Sequence, residues 1–349
     1  MSKTTMKAAL FQGEGKVALE EIPIPSPGPG EALIRVEYAG ICGTDLHIFR
    51  GLHPRATPPL VLSHEFAGEV VEAPSGSGFQ PGDRVVVNPL LTCGECYSCR
   101  IGFDHLCKNI NLIGIDVHGG TAEYTTAAVD RLYRLPSDMP LDRASAVEPM
   151  AVAYRGVSLM NVTLGDSAVV LGGGPIGILG AQALRLAGAT EIMISEINPF
   201  RRKLAEGMGF LTIDPSQVDA VEAVVSWTEG AGADLVLDAA AVPATAAQIV
   251  PITRARGEIM QLGMHWGKSV SIDLGGITWY EIVLKGSHVY TPTDFQRSIQ
   301  LIAQERVEVD AILTPRLPLE QTQQGIELAM KGGDSMKVLI QCQEDPSSR

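Results

Sequence analysis

The chain has 349 residues, 27 of them Lys or Arg and 40 Asp or Glu, for a net charge of −13. Hydrophobic residues make up 45% and charged ones 19%, which excludes a disordered chain and suggests roughly two cored domains, because single cores stop growing near ~250–300 residues. The acidic balance argues against nucleic acid or an anionic membrane surface as the main partner, and no apolar run reaches the ~20 residues of a membrane span.

The start, MSKTTMKAALFQGEGKVALEE, shows neither an apolar leader core nor a cleavage site, so no secretory signal and a cytoplasmic location are expected. Through residue 155 the chain is rich in Val, Gly and Pro, with short β-like runs such as EALIRVEYAG, GEVVEA and DRVVVNP. Turn signals separate them, PSPGPG at 25–30, PSGSG at 74–78 and QPGD at 80–83. This spacing predicts an irregular all-β domain.

Within that region Cys42-Gly43-Thr44-Asp45-Leu46-His47 follows a β-run, Ser63-His64-Glu65 comes about twenty residues later, and Glu148-Pro149 closes the segment. Singly, each reads as a buried Cys, a core His or a solvated Glu. Together, a Cys, a His and carboxylates describe a zinc site with one position open for water or a substrate oxygen. Cys93, Cys96, Cys99 and Cys107 fall within fifteen residues as Cys-x2-Cys-x2-Cys-x7-Cys. In a reducing compartment such crowding signals metal. Bacterial ferredoxins place their fourth Cys after three residues and before Pro, whereas Cys107 follows after seven and precedes Lys108. A closed, structural zinc site is the better reading.

From residue 156 the texture changes, and after Asp166 apolar strands alternate with helical patterns: SAVVLGGG, IGILGAQALRLAGA, EIMISE, RRKLAEGMG, ADLVLDAA and GEIMQLGM. Alternation of this kind marks a doubly wound parallel sheet. The turn Gly172-Gly173-Gly174-Pro175-Ile176-Gly177 contains Gly-x-Gly-x-x-Gly between a strand and a helix, the context of a dinucleotide site. Gly172 allows the tight turn, Gly174 the approach of a pyrophosphate and Gly177 close helix–strand packing. Nineteen residues on, Glu196 ends the strand EIMIS. A carboxylate there accepts from both ribose hydroxyls of NAD and repels the 2′-phosphate of NADP, although Arg201 or Arg202 could hold such a phosphate. NAD is the expected cofactor. After residue 290 comes an amphipathic DFQRSIQLIAQERV and a closing strand MKVLIQC, in which Cys342 reads as a core residue; QEDPSSR reads as a frayed end.

These residues together resemble the zinc-dependent medium-chain alcohol dehydrogenases, in the polyol branch that contains sorbitol and 2,3-butanediol dehydrogenases. The resemblance covers essentially the whole chain, through GICGTDLH, HEFAGEVVE, the Cys93–Cys107 lobe, GGTAEY, EPMAVA and GGGPIG in the family's order. It implies a GroES-like catalytic domain at 1–155 and 291–349 and a Rossmann domain at 156–290. It further implies two zinc ions per chain. Cys42, His64 and Glu65 would hold the catalytic one, with Glu148 as a fourth ligand or as partner of the zinc water. Thr44 and His47 would relay the alcohol proton by way of the NAD ribose. The implied substrate is a secondary alcohol of a polyol or vicinal diol, and the implied assembly a homotetramer, with a dimer second.

Four positions depart from the family pattern. Ser63 stands where Gly is usual, Thr121 where an aromatic is common, and Ile48 and Val289-Tyr290 where sorbitol dehydrogenases carry an aromatic and an Arg-Tyr pair. They point away from sorbitol and toward a smaller or less polar diol. The alternatives are a threonine-type amino-alcohol dehydrogenase, a zinc-free NADPH reductase, and a non-catalytic structural protein that binds a cofactor.

Overall fold

The computed structural model describes residues 4–265 and 269–344, so residues 345–349 of the expected frayed end lie outside the described residues. The chain divides into a β-rich unit, Met1–Glu148 with Phe295–Arg349, and a parallel-sheet unit, Pro149–Asp294. The division falls inside the helix Val147–Ser158 rather than at 155/156. Texture changes near the end of that helix, whereas packing changes within its first turn. The second division lies at 294/295 instead of 290/291, within the first turn of the helix Pro292–Ala303.

The β-rich unit is built on a seven-stranded sheet. Its order is Leu132–Arg134, Arg84–Val87, Glu65–Glu72, Glu31–Gly40, Leu339–Gln341 and Arg316–Pro318, with Tyr124–Ala128 also paired to Glu31–Gly40. A three-stranded sheet of Lys16–Pro23, Thr5–Gly13 and Leu60–Val61 accompanies it. The sequence favours these strands because Val, Ile and Phe recur in them and one face is buried: Ile34, Val36, Phe66, Val85, Val87 and Ile340 share one core. Gly68 is required where two strands approach, since a Cβ there would strike the backbone carbonyl of Arg35. MKVLIQC does supply a strand, Leu339–Gln341, and it lies antiparallel against Glu31–Gly40.

The parallel-sheet unit has six strands, all parallel, in the order Leu211–Ile213, Glu191–Ser195, Ser167–Leu171, Ala233–Asp238, Thr253–Gln261 and Val283–Gly286. Val169, Val170 and Leu171 are wholly buried, as continuous apolar strands covered on both faces must be. Proline opens the helices Pro175–Ala187, Pro199–Gly207 and Pro243–Gln248, where its missing N–H costs nothing. Sheet order reverses at Ser167–Leu171, the switch point at whose carboxyl end ligands bind in open α/β sheets. The apolar run 277–290 is only partly a strand. Asp273 accepts from the Gly276 N–H and caps the helix Leu274–Trp279, leaving Val283–Gly286 as the edge. No described helix is long and apolar enough to cross a membrane.

Candidate functional site

The strand Glu31–Gly40 runs into Cys42, which stands at the N-terminus of the helix Gly43–Phe49. The strand Glu65–Glu72 begins one residue after His64. Asp45, 1% exposed, ties the two segments together by accepting from the backbone N–H of Cys42 at 2.8 Å and of Ser63 at 3.2 Å. Ser63 sits at φ 70°, a left-handed conformation in which a non-glycine residue is uncommon. Its hydroxyl offsets that strain by donating to the Gly40 carbonyl at 2.8 Å and accepting from the Glu65 N–H at 3.3 Å.

One ligand atom each from Cys42, His64 and Glu65 lie within 4.8 Å of one another. Glu148, buried in the first turn of its helix, is close enough to act on the charge of His64 but falls outside that set. Burial disfavours a charged His64. Cys42, through charge and a hydrogen bond, then Glu148 and Asp45, outweigh it and hold the imidazole pKa well above its ordinary value. His64 Nδ1 is buried without a hydrogen-bond partner. A thiolate, an imidazole and a carboxylate crowded into so negative a field are a donor set that suits a divalent zinc ion. Thr44 Oγ1 lies 3.8 Å from Cys42 Sγ. His47 is half-buried in the last turn of the same helix, its pKa lowered by burial and then by Arg50.

Two partners escaped the sequence reading. Asp45 is one. Lys337 is the other: it is 4% exposed, and its Nζ donates to both Glu65 oxygens at 2.7 and 2.6 Å and to the Ile41 carbonyl at 3.3 Å. Burial acts against its charge, but Glu65, Cys42 and Glu148 hold its pKa above the usual value. A lysine inside the otherwise apolar run MKVLIQC was the available signal.

The four lobe thiols approach a tetrahedron. Sγ separations are 3.5 Å for Cys96–Cys99, 3.5 Å for Cys93–Cys107 and 4.0 Å for Cys93–Cys99. Zinc–sulfur bonds of ~2.3 Å demand edges of about 3.8 Å. Backbone N–H groups of Cys93 and Asn109 point at Cys107 Sγ, and that of Cys96 at Cys93 Sγ. Amides of Cys99 and Lys108 bring the Cys96 thiol down to about 6. The lobe fits zinc.

In the parallel-sheet unit Gly172 takes φ 95°, and a Cβ on Gly177 would collide with the Gly172 carbonyl. Gly174 caps the helix that Pro175 and Ile176 begin. Glu196, 7% exposed, accepts from the Gly173 N–H at 2.7 Å and the Asn198 N–H at 2.8 Å, which leaves lone pairs for ribose hydroxyls. The two arginines differ. Arg202 is committed to the carbonyls of Glu196 and Ile197 and to Asp214. Arg201 points its Nη1 to within 3.7 Å of where a Gly174 Cβ would stand, and its Nε is buried without a partner. A turn open to a pyrophosphate, with an unspent guanidinium beside it, fits a dinucleotide.

Residues 28–137 match the alcohol dehydrogenase GroES-like domain, and residues 175–304 match the zinc-binding dehydrogenase domain. A 2-dehydro-3-deoxy-L-galactonate 5-dehydrogenase of Pseudoalteromonas atlantica is 35% identical over 97% of this chain and 99% of its own. The chain belongs to the zinc-dependent medium-chain alcohol dehydrogenases. A second member, a sorbitol dehydrogenase of Halalkalibacterium halodurans, is 33% identical over 94% of this chain and 96% of its own. A zinc-binding dehydrogenase of Sinorhizobium meliloti, solved bound to NADP, superposes with a TM-score of 0.91 at 34% identity, covering 97% of this chain and 99% of that one. This alcohol dehydrogenase is therefore an oxidoreductase, with zinc and a nicotinamide dinucleotide as its cofactors.

The departures from the polyol pattern take structural form. Ile48 is 1% exposed and part of the core. Thr121 is buried and donates toward the carbonyls of Ala9 and Leu62. Val289 takes φ 40° beside a wholly buried Tyr290.

Proposed function

We propose that the enzyme oxidises a secondary alcohol of a polyol or vicinal diol with NAD, or reduces the matching ketone. The convergence of Cys42, His64 and Glu65 within 4.8 Å supports this reading most directly, because a structural protein needs no open metal site. Bound at that cluster, zinc supplies a Lewis acid that eases loss of the hydroxyl proton, and bound NAD supplies the hydride acceptor. Cys42, His64 and Glu65, the last paired with Lys337, would hold the zinc, with Glu148 as a fourth ligand or as partner of its water. The Thr44 hydroxyl would accept the alcohol proton while passing its own by way of the ribose of bound NAD to His47, whose pKa is lowered by burial and then by Arg50 and which would release it to solvent. The Gly172–Gly177 turn and the helix it opens bind the pyrophosphate, and Glu196 and Arg201 face the adenosine ribose. Because Ile48 is buried and Val289 is apolar, the two positions offer no polar contact to a long sugar alcohol. The experiment is a panel of polyols, vicinal diols and L-threonine assayed for NADH formation. Turnover of L-threonine alone would overturn the diol reading.

Zinc analysis should return two ions per chain. Cys96→Ser is expected to lower the unfolding temperature and release one zinc, with activity per folded molecule largely kept. A brown, iron-containing protein would refute the lobe assignment.

Cofactor choice rests on Glu196. Like charges in a partly buried site are worth about 2–3 kcal/mol, or roughly 30–150-fold in kcat/KM for NAD over NADP. Glu196→Ser should narrow that ratio, since Arg201 could then pair with the phosphate. A wild-type enzyme that uses both cofactors equally would show that Arg201, not Glu196, sets the preference.

A homotetramer is the proposed assembly, with a dimer second. Among the described residues the edge strand Val283–Gly286 pairs on one side only, and Trp279, Val283 and Leu284 beside or within it are 82%, 42% and 38% exposed. Such an edge invites pairing with another chain. Light scattering at micromolar concentration checks it, a monomer being the contrary result. Four crowded thiols without disulfides suit the cytoplasm.

A further inference from the structure

Of the departures from the family pattern, Ser63 is the one adjacent in the chain to a member of the metal cluster, His64. Its backbone is held on both sides. The N–H donates to Asp45 at 3.2 Å, and the carbonyl accepts from the Gly120 N–H at 2.9 Å. A Cβ on Gly114 or Gly119 would collide with that carbonyl, so the backbone of both glycines closes on the turn. The Ser63 hydroxyl reaches the other way, donating to the Gly40 carbonyl at 2.8 Å and accepting from the Glu65 N–H at 3.3 Å. Gly40 matters to the cluster twice. A Cβ there would overlap Glu65 Oε2 and stand 3.2 Å from the Glu65 Cβ, so the Glu65 side chain lies directly on the Gly40 backbone. Cys42 follows two residues later. Glycine would meet a φ of 70° at position 63 without steric cost. What serine adds is the bridge.

We propose that Ser63 is a positioning residue for the metal cluster. Its hydroxyl clamps Gly40, the seat of the Glu65 carboxylate, to the start of the Glu65 strand, and so fixes the spread between Cys42, His64 and Glu65. On the metal-dependent dehydrogenase reading above, on which this rests, the bridge governs how firmly the catalytic zinc is held. Groups that orient metal ligands through hydrogen bonds are worth about 10–100-fold in metal affinity or activity.

Two substitutions separate positioning from relief of strain. Ser63→Ala keeps a Cβ in the left-handed conformation and removes the bridge, whereas Ser63→Gly removes both. Zinc release to a chelator is followed in the holoenzyme without substrate, with the lobe zinc as internal reference, and kcat and KM are then measured. Both variants should yield the catalytic zinc roughly ten-fold more readily than wild type, keep the lobe zinc, and lose kcat with little change in KM. Their stabilities should differ, Ser63→Gly melting near wild type and Ser63→Ala lower. Wild-type zinc retention and kcat in Ser63→Gly overturn the proposal, because the hydroxyl then only offsets the strain that serine brings. Glycine suits the turn, so this variant decides the matter even where Ser63→Ala does not fold. That outcome leaves the dehydrogenase reading intact. A wild-type protein that binds no zinc at Cys42 and His64 defeats both.

Discussion

Methionine in place of Lys337 is expected to destabilise the β-rich unit by about 3–5 kcal/mol, the usual cost of removing one partner of a buried ion pair. Glu65 is 1% exposed and its two oxygens are both engaged by Lys337, so the change leaves a buried carboxylate without the cation that holds both of its oxygens. For a unit of this size the loss corresponds to a fall in unfolding temperature on the order of 10 °C. The effect should be larger in chelator-treated protein than in zinc-loaded protein, because a metal at Cys42 and His64 offers Glu65 a replacement cation. Adding Glu65→Gln to Lys337→Met should recover part of the stability. Thermal melts with and without chelator decide the matter. A loss below about 1 kcal/mol that is the same in both metal states would mean that Glu65 does not depend on this lysine.

Cys42→Ser is expected to lower kcat/KM by about a thousand-fold or more, because a hydroxyl replaces the thiolate that binds the metal and charges the site. The fold should survive. Cys42 is only partly buried and its backbone N–H, not its sulfur, carries the bond to Asp45. The variant should keep one zinc, at the lobe, and its unfolding temperature should stay within a few degrees of wild type. Residual activity above about a tenth of wild type would assign the chemistry to other residues.

Local features of the chain were legible in sequence. Gly172 needs glycine for its own φ of 95° and Gly177 for its approach to the Gly172 carbonyl, both local demands, and the lobe cysteines lie within fifteen residues of one another, so both sites could be read from spacing. Long-range pairings were not. Lys337 meets Glu65 across 272 positions, and only the insertion of Leu339–Gln341 beside Glu31–Gly40 brings them together. Asp45 was visible in the motif, but its grip on Ser63 depends on how two strand ends meet. Arg201 and Arg202 are neighbours in sequence and opposite in role, since one position of helical rotation turns Arg202 to Asp214 and Arg201 to the glycine turn.

The placement of Lys337 also sets an order of assembly. Cys42, His64 and Glu65 leave the ribosome early, followed by the whole parallel-sheet unit, 149–294, which is continuous and contains its own core. Lys337 and the strand Leu339–Gln341 are translated only after that. During synthesis Glu65 is therefore without the lysine that engages both of its oxygens, and its sheet lacks two neighbouring strands, Leu339–Gln341 and Arg316–Pro318. The cofactor-binding half can mature on the ribosome, whereas the metal centre acquires its balancing charge after translation of that half is complete.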